Sequence, residues 1–386
     1  MKIRAITVGS EIGFPLKKQV LVNAGHFARQ VRAAFAEQGV EVQTVRFATQ
    51  PFPLYLGEKS ERDILRFIVD LQQRCRDQGM DYCALGPANP HVPEEARLLE
   101  LLPRLIAETE VVFASALLGD GVQPVSFAAA RAVARVIRAI AWTTPGGFGN
   151  LRFAGVINCL PHTPFFPAAF HQGPPAFAFA CEAADVIATA AAPGLEPANL
   201  RTRIRHTLEM RMKPLQDLAQ RLAGSHFRFC GIDLSPAPGP APEDSIGYAL
   251  ERFGVGRFGD PGTLTAAAIV TAALKETSLL TCGYCGLMLP VLEDAGLAER
   301  NNQGLLRLSN LLAYSAVCGT GLDTIPLPGE TSEEQLMAVL LDVATLGWKL
   351  GKPLSARLFP IPGKQAGDLT EFDFSYFVNT RVMAIA

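Results

Sequence analysis

The residues best suited to chemistry fall in three stretches punctuated by glycine and proline. In the first, Ser315 to Gly329, Cys318 stands five residues before Asp323, directly after an apolar helix containing Leu311 and Leu312. Clustered glycines let backbone approach a ligand closely, and a buried thiol there can act as nucleophile or acid when its pKa is tuned. A plain core role for Cys318 reads equally well. The second stretch, Lys352 to Lys364, fixes Lys352, Arg357 and Lys364 in what reads as a stiff loop. Cations held this way suit a carboxylate or phosphate, Arg357 through its planar fork and the lysines as point charges. Asp368 or Glu371 would be structural partners in the other reading. In the third, Gly231 to Ser235, Asp233 and Ser235 follow an aromatic strand and Glu251 lies on the next helix. Such oxygens suit a divalent metal or general base work, or they anchor the loop.

Three weaker signals stand beside these. Phe258 to Thr265 leads into an Ala-rich helix, so amides near Gly262 and Thr263 could hold an anion, although capping by Thr263 explains the pattern as well. Cys282-Gly283-Tyr284-Cys285 has the spacing of a metal knuckle or redox pair, but the next cysteine is Cys318 and no histidine lies beyond His226. Two unrelated loop cysteines are the simpler reading. His162 and His171 flank an aromatic, Pro-rich stretch; their nine-residue gap is not a helical metal pair, but a rigid loop could aim His162 into a pocket.

Positioning these groups requires an α/β frame, and the apolar periodicity supplies one. Strands are expected at Ile3 to Val8, Val40 to Val45 and Val111 to Leu117, and helices at 20–38, 61–78, 94–108, 127–142 and 197–222. Arg131, Arg135 and Arg138 share one helical face, which reads as a solvated stripe. Pro161 to Pro175 and Leu234 to Pro242 read as irregular loops over one fold, because proline lacks an amide proton. The whole chain, 1–386, is therefore expected to form a single domain. Its net charge of -2 lacks the field that nucleic-acid binding needs, and 49% apolar against 19% charged residues excludes a disordered scaffold. No stretch reads as a signal peptide or a membrane span, and eight scattered cysteines fit a cytoplasmic setting rather than a disulfide framework.

Several long strings carry a resemblance: Pro164-Phe165-Phe166-Pro167-Ala168-Ala169, Gly231 to Ser235, Gly286 to Asp294, the Cys318 stretch and Lys352 to Lys364. Over nearly its whole length the chain resembles the domain of unknown function 711, or UPF0210, family. The resemblance implies a barrel of about ten strands, like that of pyruvate formate-lyase-like enzymes, with the active site inside. Glycyl-radical enzymes of that wider group store the radical on a C-terminal glycine, whereas this end reads Asn379 to Ala386 with Ala384 in the comparable place. No glycyl radical is therefore expected. Cys285 also stands where the family is expected to carry serine, which argues further against a paired-cysteine function.

The expectation is a non-radical enzyme acting on a small anionic metabolite inside an α/β barrel. Cys318, Asp233, His162 and Asp323 would supply catalytic groups, and Arg357, Lys364, Lys352, Gly262, Thr263 and Ser235 would bind substrate. A divalent metal on carboxylates stays open, favoured if Asp233, Glu251 or Glu293 converge. The alternative is a ligand-binding or regulatory protein that kept the barrel after losing catalysis. No nucleic-acid or membrane partner is expected, and a homo-oligomer is.

Overall fold

The computed structural model describes residues 2–224 and 226–385. Nine strands run through it: β1 Lys2–Gly9, β2 Val42–Ala48, β3 Tyr82–Ala88, β4 Val112–Leu117, β5 Phe153–Ile157, β6 Ala176–Glu182, β7 Arg228–Ala237, β8 Gly321–Pro328 and β9 Leu354–Ile361. They pair in the order β7-β6-β1-β2-β3-β4-β5-β9-β8. β1 to β5 are mutually parallel, while β6 runs antiparallel to β1 and β9 antiparallel to β5. Helices cover the outer face through apolar stripes. In Glu61–Asp77, for example, Ser60 caps the first turn and Ile64, Leu65, Ile68, Leu71 and Cys75 are buried at helical spacing. The helix expected at 197–222 is present as Pro197–Leu222. Among the described residues no helix is long and apolar enough to cross a membrane, and all eight cysteines are free thiols.

The two faces of the sheet differ in chemistry. On β1, Ile3, Ile6 and Val8 join the large core beneath the helices, whereas Ala5 belongs to a small interior cluster with Phe165, Ala168, Tyr284 and Met288. A register shift between Ile3 and Ala5 breaks the alternation at Arg4 and turns this charged residue inward beside Ala5. Into the interior also runs the connection between β5 and β6, the aromatic, Pro-rich stretch expected as an irregular loop. Phe166 and Ala169 pack against Ala48, Ala84 and Phe113, and Thr7 donates to the Pro164 carbonyl at 2.9 Å. Small residues on the strands leave room for this aromatic plug.

The expected closed ten-strand barrel needs correction, because the ladder stays open between β7 and β8. Segment 280–291 spans the gap: the Cys282 amide donates to Ile232, Leu287 to Cys318 and Val291 to Asp323, all through backbone carbonyls. Between these points Gly283 and Cys285 have φ of 70° and 43°, which an extended ladder cannot contain. The Asp233 carboxylate takes over, accepting the amides of Tyr284 at 2.7 Å and Cys285 at 3.0 Å.

Three stretches expected as loops are also partly regular. Leu234 to Ala237 completes β7, the helix Leu308–Cys318 runs on to the cysteine and gives way to β8, and Leu354 to Ile361 forms β9. Proline is tolerated because β7 and β8 are the outer strands of the order. Pro360 lies beyond the Gly155–Ile157 stretch where β5 meets β9.

Candidate functional site

Arg4 from β1, Arg46 from β2 and Arg357 from β9 meet inside the sheet. Together with Phe166 and Glu293 they line both of two adjoining hollows, of about 50 Å³ and about 60 Å³. Glu293 bridges the cluster, accepting from Arg4 Nη2 at 2.9 Å and Arg357 Nη2 at 2.7 Å. Arg357 Nε donates to Asp323 Oδ1 at 2.6 Å, and Arg4 Nη1 reaches Glu182 at 3.3 Å. Burial works against the charge of Arg357, yet Asp323 and Glu293 hold its pKa above the ordinary value. Burial likewise raises the Asp323 carboxyl, with Arg357 opposing.

Arg46 is different. It is only 7% exposed, and its one hydrogen bond among the described residues runs from Nε to Thr44 Oγ1 at 2.9 Å. The guanidinium lies over the rings of Phe166 and Tyr82, at 5.2 Å and 5.6 Å from their centroids. No carboxylate of the described residues reaches it. Burial and then the Arg4 charge pull its pKa down to about 10, which leaves it cationic at neutral pH. Its remaining N–H donors, on a side chain that lines both hollows, are free for an incoming acceptor.

Across the inner hollow the groups are acceptors. Asp323 Oδ2 has no hydrogen-bond partner among the described residues. Thr320 Oγ1 commits its proton to the Leu287 carbonyl at 2.7 Å, and Ser355 Oγ donates to the Thr320 carbonyl at 3.2 Å. Phe165, Met288 and Pro290 complete an apolar wall. The outer hollow is bordered by Phe374 and Tyr376, and Arg4 lies 5.6 Å from the Tyr376 ring centroid.

Of the residues singled out from sequence, the structure brings Arg357, Asp323 and Glu293 to this site. Cys318 sits wholly buried in the outer apolar core, its thiol pushed up to about 11 chiefly by burial. Asp233 accepts from Ser235, Tyr284 and Cys285, and Ser235 Oγ in turn accepts the Gly286 amide at 3.0 Å. Lys352 donates to the Ala316 carbonyl at 2.6 Å, and Lys364 pairs with Glu371 at 2.8 Å. Gly262 precedes the helix Thr263–Lys275, and Thr263 Oγ1 accepts the Gly259 amide at 3.0 Å, closing the loop on itself. His162 packs on His171 with ring centroids 5.2 Å apart, and burial lowers its pKa to about 4. Burial also pushes the Cys285 thiol up to about 12 and Cys282 well above its ordinary range, so neither is a ready nucleophile.

The carboxylates proposed as metal ligands do not converge. Asp233 holds segment 284–285, Glu251 pairs with Arg300 at 2.7 Å and Glu293 is spanned by arginines. Guanidinium groups span both Glu293 oxygens and one Asp323 oxygen, which leaves a single unengaged carboxylate oxygen, Asp323 Oδ2, among cations, too few hard ligands to fit a dication. Sequence reasoning missed Arg4 and Arg46 as members of this cluster. The available signal was a single arginine inside each of two otherwise buried strands, Ile3-Arg4-Ala5-Ile6 and Val45-Arg46-Phe47.

Comparisons with known proteins agree along the chain. A UPF0210 protein of Lacticaseibacillus paracasei is 28% identical over 382 residues, covering 95% of this chain and 84% of the relative. One from Listeria monocytogenes is 28% identical, covering 96% and 88%, and one from Halothermothrix orenii is 29% identical, covering 92% and 82%. The model of the family described as uncharacterised ACR, DUF711, matches residues 1–374, and the chain belongs to that family.

Proposed function

We propose that the protein binds a small anionic metabolite in the hollow between Arg46, Arg357 and Asp323 and acts on it by polar, non-radical chemistry. The observation that carries this reading is Arg46, a cation on the lining of both hollows that no carboxylate of the described residues hydrogen-bonds or ion-pairs, Glu293 on the same lining being engaged by Arg4 and Arg357. The lining of the inner hollow has three guanidinium groups, Arg4, Arg46 and Arg357, against two carboxylates, Glu293 and Asp323. On the lining alone one bound negative charge balances them, although Arg4 is also partnered by Glu182 behind it. Asp323, with one oxygen engaged by Arg357 and a raised pKa, is the group suited to take or return a proton. Ala384 is exposed and lines neither hollow, in keeping with polar chemistry at the arginine cluster. A ligand-binding protein without turnover is the second reading, favoured because the Ser355 and Thr320 protons are held by backbone carbonyls and neither hydroxyl is an activated nucleophile.

Calorimetric titration with acetate and inorganic phosphate tests the site. Saturable binding of one anion per chain is expected, weakened at least about tenfold in Arg46→Met, since a bidentate charged contact is lost. The same variant should melt higher than the parent without ligand, because it removes an uncompensated buried charge. Binding unchanged in Arg46→Met would sink the assignment.

A further inference from the structure

Resting on that reading, we infer that the natural occupant is a small hydroxy-carboxylate, held at one end by Arg46 and at the other by Asp323. The two sides of the inner hollow are complementary to different groups. Arg46 offers unused N–H donors, which call for a carboxylate. Opposite stand Asp323 Oδ2 and the oxygens of Thr320 and Ser355, whose own protons are directed at the Leu287 and Thr320 carbonyls. Apart from the Tyr284 hydroxyl on the same lining, these groups accept, so a ligand that merely filled the space with carbon or carboxylate would leave Asp323 Oδ2 unpaired or face it with a like charge. A ligand that donates a hydrogen bond satisfies it.

Either a hydroxyl or an ammonium group could donate, and the surrounding charge decides between them. With guanidinium groups of Arg4, Arg46 and Arg357 all on the lining, an added ammonium meets net repulsion, whereas a neutral hydroxyl does not. Size narrows the choice further. A hollow of about 60 Å³, adjoined by one of about 50 Å³, holds the equivalent of a few water molecules, which suits a molecule the size of glycolate or lactate. The wall of Phe165, Met288 and Pro290 accommodates a short carbon skeleton.

The test compares lactate, propionate and alanine, matched in carbon skeleton, by calorimetry on the intact protein. Lactate is expected to bind at least about tenfold more tightly than propionate, and more tightly than alanine, because a site built to bond a hydroxyl rejects the analogue lacking it. In Asp323→Asn the amide oxygen stays toward Arg357 and the NH2 group turns to the hollow, replacing an acceptor with a donor. The lactate-to-propionate ratio should then fall toward one while propionate affinity is retained. Equal binding of lactate and propionate by the parent protein would overturn the hydroxyl assignment and leave anion binding standing, as would tighter binding of alanine. Failure of all three ligands, with acetate and phosphate also unbound, would overturn the anion site itself. The parent ratio is decisive even if the variant does not fold.

Discussion

Arg46 and His162 show two ways in which this fold treats a buried ionisable group. Arg46 keeps its charge, lying over the rings of Phe166 and Tyr82. His162 instead gives its charge up: burial, then His171 and Arg228, lower its pKa from the ordinary 6.5 to about 4, and burial lowers His171 as well. Between about pH 4 and 6.5 the unfolded chain therefore binds a proton at His162 that the folded chain refuses. Stability should climb with pH through that window and be complete above it. Melting temperatures from pH 4.5 to 7.5 check this; the slope should flatten in His162→Gln, and an unchanged slope would assign the acid sensitivity elsewhere. At this scale the sequence was half legible. Arg357 stood out because it lay among other cations and prolines. Arg46 did not, because one arginine in a strand gives no spacing pattern, and only the meeting of β1, β2 and β9 reveals its role.

Segment 280–291 spans the open edge of the sheet without being a strand. It depends on the Asp233 carboxylate, which is fully buried and accepts three backbone amides and the Ser235 hydroxyl. Asp233→Asn preserves the volume but presents an NH2 group to an amide donor. A loss of about 2–4 kcal/mol is expected from the unmade bonds, read as a lower urea midpoint. An unchanged midpoint would show that the backbone contacts of Cys282, Leu287 and Val291 suffice. Helices such as Glu61–Asp77 and Pro197–Leu222 were readable from periodicity alone. The edge strands were not, since Pro236, Pro326 and Pro328 look like loop residues until the strand order shows that β7 and β8 are outermost. Nor could periodicity disclose that 164–169 lies inside, because an aromatic, Pro-rich run has the same composition on either face.

Sheet order ties the two ends of the chain together: β9 pairs with β5, β6 with β1, and the connection between β5 and β6 packs within. Residues 1–386 should therefore unfold as one unit. Limited proteolysis is expected to yield no stable fragment ending within 161–175 or 234–242, and two separately folding halves from either region would contradict a single domain. The Arg4 to Glu293 contact, with partners 289 positions apart, has a further consequence in time. During synthesis Arg4 emerges long before Glu293, Asp323 and Arg357, and must remain hydrated until they follow. On the proposed reading, a nascent chain can hold the anion only after residue 357 has emerged, because the site is assembled from residues 4 to 357. The proposed ligand would then stabilise only chains in which both ends of the sheet have met, so its effect on stability would report closure of the site.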